Sequence, residues 1–158
     1  MTPALPAAQL GRDQDPTVRL IQRLGHAGLA PFVGLALLIW LVDASLHPFV
    51  ALALAGYGAA IVSFLGGIHW GIALRDARAG AATTRFHLAW GVVPSLLAWL
   101  AIVMPAYAGL PLLGLILVVC YLADRRSWPA AGLAEWLPLR LRLTAVATLS
   151  CLLGAAGT

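Results

Sequence analysis

Long apolar stretches separated by short polar connections make up most of this 158-residue chain. A helix needs about 20 apolar residues to cross about 30 Å of hydrocarbon. Five stretches meet this length, at residues 24–42, 48–74, 86–104, 106–123 and 139–156. The pattern therefore predicts an all-α integral membrane protein, a bundle of five transmembrane helices in a single domain over residues 16–158.

Two segments lie outside the predicted spans. Residues 1–15 hold three Pro or Gly breaks and mixed charge, without a basic region followed by an apolar one. We predict a short disordered tail there rather than a cleaved signal peptide. Residues 127–138 (SWPAAGLAEWLP) carry two tryptophans. They predict a short interfacial segment whose indoles lie at the level of the lipid headgroups.

Composition excludes the other classes of protein. Hydrophobic residues make up 61% of the chain and charged residues only 10%, whereas a soluble domain carries about 25% charged residues. Two cysteines cannot form a disulfide scaffold. The high hydrophobicity also excludes a disordered chain.

The positions of the basic residues predict an orientation. All ten are arginines, and they lie before the first span, between the second and third, and around the start of the fifth. Cytoplasmic connections retain Lys and Arg, so we predict a cytoplasmic amino terminus, a periplasmic carboxyl terminus and a location in the bacterial inner membrane. Anionic headgroups then explain the basic pI better than nucleic acid does. The arginines expected at the headgroups are Arg75, Arg78, Arg85, Arg125, Arg126, Arg140 and Arg142.

Two details of that charge map are predictions in their own right. Arg140 and Arg142 fit the fifth span only if they snorkel to the interface. Asp124 stands beside Arg125 and Arg126, and we expect a local ion pair there. On this interpretation no acidic residue lies deep in any span.

The second span carries small residues at every fourth position. Such ridges let helix backbones approach closely in lipid. Two interpretations are open: the central helix of a single bundle, which we favour, or a contact between copies of the chain. The residues expected to pack helices are Ala59, Ser63, Gly66, Gly67 and Gly71.

A possible polar or ligand site involves the second and third spans. His69 and His87 fall within about 10 Å of the inner interface. They either anchor the helices at the headgroups, which we favour, or ligate a metal or a haem. Pro94 frees the carbonyl of Trp90, and broken helices mark transporter sites. Trp70 is expected to lie over the neighbouring glycines. Because no metal-ligand spacing is present, we predict no metal and no cofactor.

Four blocks of the chain resemble a known family. They are LGHAGLAPFVGLAL in the first span, SFLGGIHWGIAL in the second, VPSLLAW in the third and GLAEWLPLRLRLT before the fifth. Together they are similar to the bacterial and mitochondrial membrane proteins resembling transmembrane protein 69, a domain of unknown function. The resemblance covers roughly residues 19–153. It implies a multi-span fold and an inner-membrane location, with no established reaction.

The leading functional hypothesis is a non-enzymatic bundle in the lipid bilayer that self-associates or accompanies a larger membrane complex. A small-solute or ion channel or transporter is the first alternative, and it needs a polar path near Ser63, His69, His87 and Pro94. A haem or metal protein that uses the two histidines is the second.

Overall fold

Helices form almost the whole of the described chain. The computed structural model describes residues 15–77 and 82–158, with the main chain alone at residues 82 and 83. Of the expected tail at residues 1–15 the structure describes only Asp15, and Arg78 lies outside the described residues. Within the described ranges the helices are α1 (Pro16–Ala27), α2 (Ala30–Leu41), α3 (His47–Asp76), α4 (Ala82–Val103), α5 (Ala106–Ser127) and α6 (Leu137–Ala156), with 3₁₀ turns at Ala44–Leu46 and Ala134–Trp136.

Five helical units in the described chain are long and apolar enough to cross a membrane, which confirms the number predicted. They are Pro16–Leu41, Ala44–Asp76, Thr84–Val103, Ala106–Ser127 and Ala134–Ala156. The main difference in bounds concerns the fourth unit. Its helix continues to Ser127 rather than ending near residue 123, so Asp124 belongs to the helix and not to the connection.

The first unit is two helices rather than one. Pro31 has no N–H, and its ring crowds the carbonyl four residues earlier, so α1 ends at Ala27 and α2 begins at Ala30. Gly28 lies in this interruption, and its carbonyl accepts a hydrogen bond from the hydroxyl of Tyr57 on α3 at 2.8 Å. The break is therefore tied to the centre of the bundle.

Helix α3 lies at the centre and packs against α2, α4, α5 and α6. Its buried face meets large apolar side chains from the surrounding helices, among them Phe32 and Leu113. The outside of the bundle is also apolar, since Phe49, Phe64 and Trp99 are largely exposed. Water would not favour such a surface, whereas lipid does. The molecule is a membrane-spanning helical bundle.

The ridge of small residues on α3 divides into two parts. Ala59 is buried and Ser63 is half-buried, whereas Gly67 and Gly71 are exposed with nothing within 4 Å of a Cβ built on either. The prediction that one ridge packs throughout the bundle is wrong for these two glycines. Each step of four residues turns about 40° beyond a full turn, so the row winds from the inside of the bundle to the outside.

Candidate functional site

Two glycines set the closest approach of α3 and α4. A Cβ at Gly66 would collide with the carbonyl oxygen of Gly91, and a Cβ at Gly91 would lie 2.9 Å from the carbonyl oxygen of Gly66. The helices run in opposite directions, so three residues after Gly66 and four before Gly91 fall at about the same level. Those positions are His69 and His87.

The two imidazoles meet inside the bundle. Nδ1 of His69 lies 2.7 Å from Nδ1 of His87, and the exposed fractions of the two residues are only 1% and 4%. The ring of Phe86 makes T-shaped contacts with both imidazoles. The side chains therefore contact each other in the interior rather than the headgroups, and the favoured role of interfacial anchor is wrong for this pair.

Two further helices extend the chain of polar groups. Nε2 of His69 lies 2.9 Å from Oδ1 of Asp124 on α5. Arg140 on α6 donates from Nε to Oδ2 of Asp124 at 2.8 Å and from Nη1 to Oγ1 of Thr144 at 2.6 Å. All of these side chains are buried. We call the five residues the polar network: His69, His87, Asp124, Arg140 and Thr144.

The hydrogen bonds restrict where the protons lie. An ionised carboxylate only accepts, so Nε2 of His69 carries a proton toward Asp124. A neutral His69 then accepts at Nδ1 from the N–H of His87, whereas a doubly protonated His69 donates in the opposite direction. In both arrangements one proton lies between the rings. Asp124 and Arg140 balance each other's charge.

Two predictions about charge are wrong. Asp124 is 2% exposed and contacts Arg140 and His69 rather than forming the expected local ion pair with its sequence neighbours, so an acidic residue does lie inside a span. Arg140 is 6% exposed and does not reach the headgroups. Both errors have the same cause, because an opposite charge on the adjacent helix satisfies each group inside the bundle.

Trp128 also departs from the expected headgroup position. It is 6% exposed and follows the last residue of α5. A tight turn comes next, in which Gly132 adopts φ +76°, the left-handed conformation that glycine adopts easily. The carbonyl of Trp128 accepts from the N–H of Leu133 at 2.9 Å. The turn thus folds the tryptophan inward, while Trp136 stays half-buried.

The other expected site residues surround the histidine pair without joining the polar network. The indole of Trp70 covers Gly91 rather than the glycines of its own helix, and its N–H donates to the carbonyl of Leu88 at 3.1 Å. Trp90 stacks on Phe86.

Pro94 is fully buried near Gly66. The backbones of α3 and α4 are in close contact at this level.

The other described arginines of the headgroup prediction lie at one end of the bundle. Arg75 is exposed, pairs with Asp76 and donates to the carbonyl of Ala131 at 3.2 Å. The side chains of Arg85, Arg125, Arg126 and Arg142 are exposed as well. Their contact with lipid stays a prediction.

The histidine pair is too close to hold a metal ion between its facing nitrogens. Two nitrogens bound to one tetrahedral ion at about 2.0–2.1 Å are separated by about 3.3 Å, compared with 2.7 Å here. Among the described residues no group of three or more potential ligands could hold a metal ion. As folded, the pair is suited to sharing a proton.

The fold and the polar network define a multi-pass helical membrane protein with a buried ionisable cluster. Residues 17–156 match the family described as "Protein of unknown function (DUF3429)", and the chain belongs to that family. It is 40% identical over 132 residues to "Transmembrane protein 69" of Xenopus tropicalis, covering 80% of this chain and 50% of the frog protein. It is 38% identical over 76 residues to "Transmembrane protein 69" of Mus musculus, covering 48% of this chain and 30% of the mouse protein.

The chain thus spans half or less of the length of these curated relatives. No solved structure matches it. The expected resemblance to the transmembrane protein 69 family is confirmed.

Sequence reasoning missed Asp124, Arg140 and Thr144 as members of the site. Two signals were present. Arg140 and Thr144 are four residues apart and share one helix face. Asp124 and Arg140 stand at the facing ends of consecutive spans joined by a short connection, where opposite charges can pair.

Proposed function

We propose that this protein is a non-enzymatic membrane bundle in which the His69–His87 pair binds and releases a proton, and that the packing of α3 against α4 responds. The 2.7 Å contact between the two Nδ1 atoms carries the proposal. Ionisable residues inside a membrane are costly and typically functional. Histidine is also the side chain whose charge changes near neutral pH.

A proton enters at Nε2 of His87. The proton shared by the two Nδ1 atoms then moves toward His69, and the carboxylate of Asp124 stabilises the positive charge there, 2.9 Å from Nε2. Asp124 is held in turn by Arg140, whose guanidinium keeps its protons at any physiological pH. The relay therefore ends at Asp124. It suits a site that stores a proton better than a path that conducts one, so the channel or transporter alternative is less well supported.

The charged and titratable groups around the pair come from each neighbouring helix. Asp124 faces it from α5, with Cys120 one turn earlier, and Arg140 faces it from α6 behind Asp124. Arg75 and Asp76 pair with each other at the end of α3. A positive charge on the histidine pair would share the one carboxylate of Asp124 with the guanidinium of Arg140. The protonated state therefore strains the contact between α3 and α4.

We also propose the orientation and location predicted from the arginines, namely a cytoplasmic amino terminus, a periplasmic carboxyl terminus and the bacterial inner membrane. Exposed arginines at one end of the bundle support it. Self-association, or association with a larger membrane complex, is part of the same proposal. The outward-facing Gly67 and Gly71, four residues apart on α3, give a partner helix room to approach.

Hydrogen–deuterium exchange in lipid nanodiscs tests the proton-binding role. After correction for intrinsic exchange rates, we expect the protection of α4 to differ between pH 5 and pH 8 in the wild type. His69→Gln and His87→Gln keep a hydrogen-bonding side chain that cannot bind a proton, so the difference should disappear in both. His26→Gln, at an exposed histidine of α1, should behave as the wild type. Protection of α4 that is independent of pH in the wild type contradicts the proposal.

Light scattering in detergent tests self-association separately. Gly67→Leu should lower the mass of the complex, because a leucine separates helices that pack through glycine. Gly34→Leu is a matched control, since Gly34 on α2 also has nothing within 4 Å of a built Cβ. An unchanged mass for Gly67→Leu contradicts that part of the proposal.

A further inference from the structure

A groove of about 520 Å³ opens between α1, α2, α3, α5 and α6. Its volume lies within the range of about 300–1,000 Å³ typical of ligand pockets. The outer lining includes the exposed Ile21 and Phe64, and the inner lining includes the buried Phe32 and Leu117. The groove therefore leads from the lipid-facing surface into the core along an apolar path.

Two residues of the groove lining carry buried hydrogen-bond donors. Arg140 and Trp128 both line it, and each is 6% exposed. Nη2 of Arg140 and Nε1 of Trp128 have no hydrogen-bond partner within the described part of the chain. A buried donor without an acceptor is destabilising, because it has lost its hydrogen bond to water. Two residues of the groove lining thus carry unsatisfied N–H groups just beneath an otherwise apolar surface.

These donors define the chemistry of an occupant. Guanidinium and indole nitrogens donate and cannot accept, so the occupant must offer an acceptor oxygen. Asp124 already neutralises the charge of Arg140 at 2.8 Å. A second anion would leave one negative charge unbalanced in a low-dielectric interior, whereas an uncharged carbonyl would not. The site is therefore suited to a carbonyl oxygen on a long apolar body.

The depth of the donors indicates the kind of amphiphile. Trp128 directly follows α5, and Arg140 lies in the first turn of α6, at the end of the bundle that carries the exposed Arg125, Arg126 and Arg142. The apolar lining continues from there toward the middle of the helices. A glycerophospholipid has the same order, with a phosphate outermost, an ester carbonyl below it and an acyl chain beyond.

We propose that the groove binds one acyl chain of a membrane glycerophospholipid, whose ester carbonyl accepts from Arg140 and Trp128. Neither nitrogen contacts solvent as the groove stands, so the side chains over them move aside when the carbonyl enters. The exposed arginines at that end meet the phosphate. This inference is independent of proton binding by the histidines.

Native mass spectrometry of the full chain tests the inference by the chemistry of the lipid. Wild-type protein is incubated with a diester phosphatidylglycerol or with its diether analogue, which has the same chains and headgroup but no carbonyl. We expect the diester lipid to be retained about fivefold more than the diether, the effect of about one hydrogen bond. Equal retention overturns the proposal. Displacement of the lipid by an equimolar isoprenoid quinone overturns the choice of a lipid.

Two variants locate the lipid. Trp128→Phe keeps an aromatic ring without the N–H and should reduce the preference for the ester. Leu143→Trp fills the groove and should abolish retention of both lipids. Leu149→Trp, at a 57% exposed position of the same helix, is the matched control and should retain lipid as the wild type does. Retention by Leu143→Trp equal to that of the control places the lipid elsewhere and overturns the proposal.

Discussion

The pair formed by Asp124 and Arg140 gives the sharpest quantitative test of the structure. Asp124→Leu leaves a guanidinium buried at 6% exposure with no counter-charge, and it also removes the acceptor of the His69 N–H. Removing one partner of a buried ion pair costs about 3–5 kcal/mol. Arg140→Met has the converse effect, because it leaves the buried carboxylate of Asp124 without the guanidinium that pairs with it. We expect each single substitution to lower the free energy of unfolding by that amount.

The double variant Asp124→Leu/Arg140→Met should lose much less than the two single variants together. Apolar replacement of both partners of a buried pair is often nearly neutral, and the bonds to His69 and Thr144 that also disappear are worth about 1 kcal/mol each. The expected coupling energy is therefore about 3 kcal/mol or more. A small coupling is the alternative that exposed ion pairs show.

Reversible unfolding in mixed micelles, with an increasing fraction of denaturing detergent, measures the four free energies. Arg142→Met is the matched control, because Arg142 lies two residues along the same helix and is exposed. Its effect should stay within about 0.5 kcal/mol. Additive single effects, to within about 0.5 kcal/mol, would refute the reasoning that the two charges neutralise each other inside the bundle.

Three further predictions follow from local geometry. Gly91→Ala should lower the free energy of unfolding by about 1–3 kcal/mol, because the added methyl group overpacks α3 against α4. Gly34→Ala is the control, since Gly34 has open space around it. The melting temperature of Gly91→Ala should therefore fall and that of Gly34→Ala should not. Tyr57→Phe removes the hydroxyl that closes the break between α1 and α2 and should cost about 1 kcal/mol by the same assay. The N–H of Ser45 holds the pKa of Asp43 below its usual value of 3.8. The stabilisation from Asp43 is therefore present above the unfolded pKa and is lost as pH falls through the folded one; carbon NMR of the carboxyl should give a midpoint below 3.8, and an ordinary midpoint would exclude the bond.

The spans could be predicted because hydropathy depends on each segment alone. The common depth of His69 and His87 also followed from the rise per residue of two antiparallel helices. Their direct contact did not follow, because it depends on how closely α3 and α4 approach. That approach is set by Gly66 and Gly91, one glycine on each helix. The sequence pattern predicted packing residues on α3 only, in its row of small side chains.

The ionic partner of Asp124 was predicted wrongly for a different reason. Asp124, Arg125 and Arg126 are neighbours in sequence, but successive residues point about 100° apart around a helix. Asp124 therefore faces the interior while both arginines face outward. An acid assigned to the residues beside it in sequence is paired instead with a residue sixteen positions later. Choosing between these partners requires knowing which face of α5 is buried, and the uniformly apolar span does not reveal it.

The ion pair across α5 and α6 also bears on how the chain enters the bilayer. Neither helix alone holds the partner that neutralises its buried group in the bundle. A single charge in a spanning helix costs about 2.5–3.5 kcal/mol on insertion at the centre and less near the ends, where Asp124 and Arg140 lie. The two helices together carry no net charge at this pair. The helical hairpin Ala106–Ala156 is thus the smallest unit in which both groups are neutralised, and synthesis that stopped before Leu137 would leave Asp124 facing lipid or the other helices without its guanidinium.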